Sequence, residues 1–174
     1  MEFVQSIWEH DQEYMALIGD LINNEELLKL DTITHHHYTT RLTHSLFVSY
    51  VSYKLAKKFK LNVRAVARAG LLHDFFHEGR EEIAAMDQGS HNCVHPKIAV
   101  ENAAKITPLT DLERDIILKH MFLCSTVGLP RYKESMIVTC VDKYCAISEV
   151  SKPLRQKTRI KISNWMAKVR LVHA

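Results

Sequence analysis

Three ionisable side chains, His44, His73 and Asp142, fall where the sequence pattern calls for hydrocarbon, and Asp74 adjoins the second of them. His44 lies four residues before Val48 and His73 four residues after Ala69, so each shares a helical face with apolar neighbours. Asp142 sits among Val138, Val141 and Cys145. A lone histidine on an apolar face is most often a core residue with a hydrogen-bond partner. A buried carboxylate is harder to accommodate, because burying its charge costs several kcal/mol unless it is paired or binds a metal. Several such residues on different helices suggest a shared partner. A divalent cation would satisfy them all, since imidazole and carboxylate suit Mn, Fe, Co, Ni or Zn.

The elements that must position these residues read as helices nearly throughout. Residues 4–30 suggest two short helices, broken near Gly19-Asp20 or Asn23-Asn24. The polar stretch DTITHHHYTT follows and reads as loop, its His35-His36-His37 triplet included. A long helix is predicted over about 41–59, with an apolar stripe of Val48, Val51, Leu55 and Phe59. Asn62 is placed to cap a helix through His73. Residues 79–92 are polar and read as irregular, with His91 at the entrance to any site, and His95-Pro96 opens the next helix. Thr110-Asp111-Leu112-Glu113 has the capping-box pattern and starts a helix through His120. Gly128-Leu129-Pro130 is a break, and a further helix covers about 133–150. Pro153 opens a last helix, over about 153–172, with Ile162, Trp165, Met166 and Val169 on its apolar face.

Composition agrees with a helical protein. The chain has 174 residues, of which 5 are Gly and 4 Pro, too few for a turn-rich β protein. That length fits one domain, 1–174, with a core of about 39–149, an N-terminal helical segment over 1–30 and the basic helix at the C-terminal end. The start carries Glu2, Glu9, Asp11 and Glu13 and resembles no signal peptide, and no apolar run is long enough to span a membrane. A cytoplasmic location is therefore expected. The four cysteines form no Cys-x-x-Cys pair and are expected to be buried thiols. The net charge of +3 is uneven: from Val150 onward there are seven Lys/Arg and no acid. Such a tail can attract nucleic acid, but it carries one tryptophan and neither tyrosine nor phenylalanine for base stacking, so an amphipathic docking helix is the preferred reading.

The order His44, then His73-Asp74, then Asp142 resembles the HD-domain metal-dependent phosphohydrolases. The similarity is carried by RLTHSLFVSYVSYKLAKKF around the first histidine, ARAGLLHDFFHE around the pair and VDKYCA around the last aspartate. It covers about 39–149. The resemblance implies an all-α helical bundle with a metal at its centre, held by His44, His73, Asp74 and Asp142. His95, in HNCVHPKIAVENA, and His120, in DIILKHMF, look like the extra ligands of the binuclear HD proteins, which include HD-GYP-type and cyclic-nucleotide phosphodiesterases. On that likeness Asp74 bridges two metals. The chain departs from the HD-GYP pattern at His120-Met121, where two adjacent histidines are usual, and it lacks Gly-Tyr-Pro.

The same resemblance implies hydrolysis of a phosphoester, of a nucleotide or related small molecule, by water activated on one or two divalent transition metals (Fe, Mn, Co, Ni or Zn). His77, where relatives place lysine or glutamate, is expected to donate a proton or bind phosphate. Arg41, one turn before His44, and Lys143 are candidate phosphate contacts. The competing readings are a single-metal nucleoside monophosphatase and a nucleotide sensor without turnover. No glycine-rich nucleotide loop is present. No membrane or nucleic-acid partner is expected.

Overall fold

The computed structural model describes residues 8–35, 39–125 and 128–148. The expected C-terminal helix, His36 and His37 lie outside the described residues. Among those described the chain is all-α, apart from one pair of two-residue strands. The order is α1 (Gln12–Ile22), α2 (Glu25–Leu28), a 3-10 turn (Lys29–Thr32), β1 (Thr34–His35), β2 (Thr39–Thr40), α3 (Arg41–Lys58), α4 (Val63–Leu72), α5 (Arg80–Ala85), α6 (His91–Ile106), α7 (Asp111–Lys119) and α8, over 133–148.

Caps set most of these boundaries. Asp11, Asn24, Thr40, Asn62 and Thr110 each accept a backbone N–H of the following turn, which satisfies donors that the helix leaves unpaired. At Thr110 the capping box is complete, because Glu113 also accepts the Thr110 N–H at 2.9 Å. The first segment breaks at Asn23-Asn24 rather than at Gly19, since Asn24 supplies the cap of α2.

The structure corrects several expectations. The stretch read as loop before α3 contains an antiparallel bridge, Thr34 opposite Thr40 and His35 opposite Thr39. Residues 79–92 hold a short helix, α5, whose Gly79 N–H is accepted by Glu82. Helix α6 starts at His91, one turn before the expected His95-Pro96, because Ser90 takes the extended conformation of a cap. On α3 the expected stripe is displaced: Val48 is buried, but Phe59 is exposed and the buried face includes Ser45, Ser49, Ser52 and Tyr53. The small face has a reason. Gly70 of α4 lies against Ser49 so closely that a Cβ at Gly70 would come within 3.0 Å of the Ser49 Cα. Of the cysteines, Cys145 is buried, whereas Cys124 and Cys140 are exposed.

The core joins Tyr14, Ile18 and Leu21 of α1 to Val48 and Tyr53 of α3, Val66 and Leu71 of α4, Ile116 and Ile117 of α7 and Val138 and Val141 of α8. Tyr14 donates to Ser49 Oγ at 2.7 Å, and Ser49 donates to the Ala67 carbonyl at 2.6 Å, so these two buried hydroxyls are satisfied in a chain. Asp115 accepts from Ser135 Oγ at 2.7 Å and from the Arg131 N–H at 3.0 Å, which ties the start of α8 to α7. The result is a rigid frame that presents the ends of α4 and α7 and the flanks of α3, α6 and α8 to one another.

Candidate metal centre

His44 in the first turn of α3, His73 and Asp74 just past α4, His95 on α6, His120 just past α7 and Asp142 on α8 meet in one buried cluster. Backbone carbonyls orient three of the imidazoles. His73 Nδ1 lies 2.8 Å from the Gly70 carbonyl, His95 Nδ1 2.8 Å from that of His91 and His120 Nδ1 2.7 Å from that of Ile117. A carbonyl only accepts, so each Nδ1 carries the proton and each Nε2 is left with a lone pair. The local helix thus selects the tautomer and points the donor atom inward, as the outer hydrogen bonds of metal-ligating histidines do.

Those lone pairs face one another and face carboxylate oxygen. His95 Nε2 and His120 Nε2 are 3.0 Å apart, and each is 3.4 Å from Asp74 Oδ1. Asp74 Oδ2 turns the other way, 3.6 Å from His73 Nε2. His73 Nε2 is in turn 3.8 Å from Asp142 Oδ1, which lies 3.1 Å from His44 Nε2. Two of these buried atoms, His73 Nε2 and Asp74 Oδ1, have no hydrogen bond of acceptable geometry. Electron pairs at such separations repel unless a cation lies among them, and an orphaned buried polar atom costs roughly 1–3 kcal/mol. The residues therefore fit a metal. Two groups are each able to hold one: His44, His73 and Asp142, and His73, Asp74 and His120, with all ligand atoms of a group within 4.8 Å of one another.

The electrostatics follow from the same contacts. Burial pushes the Asp74 carboxyl up, but when the metal-free imidazoles take up a second proton, the charge on His73 and the hydrogen bonds from His120 and His95 outweigh it and hold it well below the usual carboxylate range. Asp142 is likewise held well below that range, with His44 and His73 overriding its burial. Burial lowers the His120 imidazole against the opposing pull of Asp74, which favours the neutral ring that a metal requires.

The cluster opens into a cleft of about 650 Å³. Asp74, Asp142, His95 and His120 form its floor, and Arg41, Arg80 and Lys143 are its cations. The buried Arg41 guanidinium stacks 3.7 Å over the Phe76 ring and donates through Nη1 to the Phe76 carbonyl. Lys143 Nζ is 2.8 Å from Asp142 Oδ2 and 3.2 Å from Met121 Sδ. His91 lines the entrance, and burial, with His95 and Arg80 beside it, lowers its ring to about 4.

Of the nine residues singled out in the sequence, the structure brings eight to the cluster or its cleft: His44, His73, Asp74, His95, His120, Asp142, Arg41 and Lys143. His77 is not among the residues lining the cleft. Its ring lies edge-on to Phe75, and its Nε2 is 3.1 Å from the Glu26 carbonyl. The turn after His73 explains this, because the Phe76 N–H returns to the Asp74 carbonyl and carries the next side chain outward. Arg80 and Phe76 were not foreseen as cleft residues. Nothing local marks Arg80, which enters through the short helix α5.

Helices converging on a buried His/Asp cluster beside a cation-lined cleft define a metal-binding hydrolase domain. The chain belongs to the HD-domain family, which it matches over residues 41–147. It is also 33% identical over 121 residues to a deoxyguanosinetriphosphate triphosphohydrolase-like protein of Caldanaerobacter subterraneus subsp. tengcongensis. That alignment covers 64% of this chain and 34% of the relative, so the chain spans about a third of that protein's length. No solved structure matches. Among the described residues no helix is long and apolar enough to cross a membrane.

Proposed function

We propose that the protein hydrolyses a phosphoester of a nucleotide or related small molecule at a two-metal site. The observation that carries this reading is the division of Asp74, whose Oδ1 faces His95 and His120 while its Oδ2 faces His73. A carboxylate so placed would offer one oxygen to each of two ligand sets. His44, His73 and Asp142 would complete one site, and His95 and His120 the other. The chemistry that bound metals supply is Lewis-acid polarisation of a phosphoryl oxygen and a water nucleophile near neutral pH.

The remaining work falls to the chain's own groups. Arg41, fixed on Phe76, and Arg80 at the cleft wall bind phosphoryl oxygens, and Lys143 adds positive charge beside Asp142. Stacking and the Phe76 carbonyl pre-set the Arg41 fork, so little side-chain freedom is lost when substrate arrives. His77 steadies the turn that carries Asp74, through Glu26 and Phe75, rather than touching substrate. A nucleotide as substrate is supported by the name of the Caldanaerobacter relative, which specifies a nucleoside triphosphate.

The test pairs elemental analysis with turnover. Protein purified without chelator or affinity histidines is assayed for metal, and then against nucleoside mono-, di- and triphosphates and cyclic nucleotides with Mn, Co or Ni. About two ions per chain, falling on His95→Ala and on Asp74→Ala, with phosphate release from at least one nucleotide, is the expected result. One ion that survives His95→Ala would replace the two-metal site by a single-metal phosphatase. Nucleotide binding without product would make the domain a sensor.

A further inference from the structure

Three histidines line the cleft, His91, His95 and His120, and His91 stands outside the metal cluster. Its main chain serves that cluster, because its carbonyl lies 2.8 Å from His95 Nδ1. Its ring sits between neighbours without bonding to them. The centroid is 4.8 Å from that of His95 and 5.7 Å, edge-on, from that of Phe76. Among the described residues no hydrogen bond reaches either ring nitrogen, and of the two only Nδ1 is fully enclosed. Nε2 is therefore the edge presented to the cleft. This sets His91 apart from His73, His95 and His120, where a carbonyl at Nδ1 leaves a lone pair on Nε2. At His91 no carbonyl claims Nδ1, so the ring can carry its proton on Nε2 and donate it to a ligand.

We propose that His91 Nε2 contacts the substrate, forming with Arg41 and Arg80 a subsite at the cleft entrance that holds a phosphoryl group. The proposal rests on the reading of the substrate as a phosphoester. The charges of both arginines reach the His91 ring. Arg41 is only 7% exposed, and its Nε is buried with no acceptor. Its Nη1 is spent on the Phe76 carbonyl, which leaves Nη2 for a ligand. The carboxylates that line the cleft, Asp74 and Asp142, are turned to the cluster imidazoles. The entrance thus offers donors and positive charge, the chemistry that an oxyanion requires. Packing against His95 and Phe76 fixes the ring before substrate arrives, so little freedom is lost on binding. The imidazole contact expected at His77 is supplied instead from the first turn of α6.

Calorimetric titration of the chelator-treated full-length protein with inorganic phosphate reads this subsite without metal or turnover. His91→Ala should weaken phosphate binding about tenfold, the low end for a hydrogen bond to a charged group. His91→Gln, whose amide nitrogen takes the place of Nε2, should bind within about threefold of the parent. His91→Asn, whose amide falls at the Nδ1 position, should not recover binding. Metal content should be the same in His91→Ala as in the parent, because the carbonyl that orients His95 is main chain. With any nucleotide that is turned over, His91→Ala should raise KM and leave kcat within about threefold. Equal phosphate affinity in parent and His91→Ala would overturn the proposal, as would no binding by the parent or equal recovery by Gln and Asn. Loss of metal would make the ring a support of the cluster, and a fall in kcat at constant KM would make it a proton donor; either rejects the subsite. Should His91→Ala melt well below the parent, Arg80→Ala, on an exposed side chain, decides by the same phosphate titration. Phosphate binding that depends on His91, with no nucleotide turned over, would uphold the subsite and defeat only the hydrolase reading.

Discussion

The Nε2 atoms of His95 and His120 lie 3.0 Å apart with both Nδ1 atoms already committed to backbone carbonyls. Two imidazoles held in this way cannot hydrogen-bond to each other while both are neutral, so the frame stores repulsion that a cation relieves. Adding Mn, Co or Zn to chelator-treated protein should therefore raise its melting temperature. At a hundredfold excess over Kd the gain is about 2.7 kcal/mol, or roughly 5–10 °C for a domain of this size. His120→Ala should reduce the shift. A melting curve indifferent to every divalent metal would remove the basis of the site.

The metal-free protein should lose stability as pH falls, in two stages. Burial lowers His91 to about 4 and also lowers His120, from the usual 6.5. Between pH 6.5 and those values the unfolded chain binds protons that the folded chain refuses, so stability is full above 6.5 and declines below it. Asp74 and Asp142 are held well below the usual 3.8, so their contribution is present above that value and is lost as pH drops through their folded values. Urea midpoints measured from pH 7.5 down to 3 should fall monotonically. A midpoint that rises on acidification would contradict the assignment.

Gly70→Ala should destabilise the domain by about 1–3 kcal/mol, the usual cost of overpacking. The added Cβ would meet the Ser49 Cα at 3.0 Å, and backbone cannot swing aside as a side chain would. Because the Gly70 carbonyl also orients His73, the variant should bind metal more weakly as well. Denaturant midpoints and metal titration check the two effects separately.

Arg41→Ala and His77→Ala separate the cleft from the turn beside it. Arg41 is buried on Phe76 and faces the cleft, so its loss should raise KM for a phosphoester roughly 10–100-fold, the worth of a charge-assisted hydrogen bond. His77→Ala should leave kcat within a few-fold, because its imidazole contacts the Glu26 carbonyl. Steady-state kinetics on any nucleotide found to be turned over decides between them, and a collapse of kcat in His77→Ala would return the proton-donor role to that residue.

The sequence by itself determined the helical character, the caps at Asn62 and Thr110 and the identity of the buried cluster. Those features are local: Asn62 and Thr110 cap the residues that follow them, and ionisable groups on apolar helical faces are visible one helix at a time. The His-Asp pair after Ala-Gly-Leu-Leu, with its partners upstream and downstream, was enough to indicate the family. What only the tertiary structure decided depends on how elements meet. The direction of His77 hangs on one turn after Asp74. The division of the Asp74 oxygens between two sets of imidazoles depends on the relative placement of α4, α6 and α7. Arg80 reaches the cleft through a six-residue helix that the polar run concealed. The apolar residues of α8 are legible in the sequence, but only packing shows that Val138, Val141 and Cys145 are the ones the core uses. Helix periodicity records which residues share a face, while burial depends on what lies across from it.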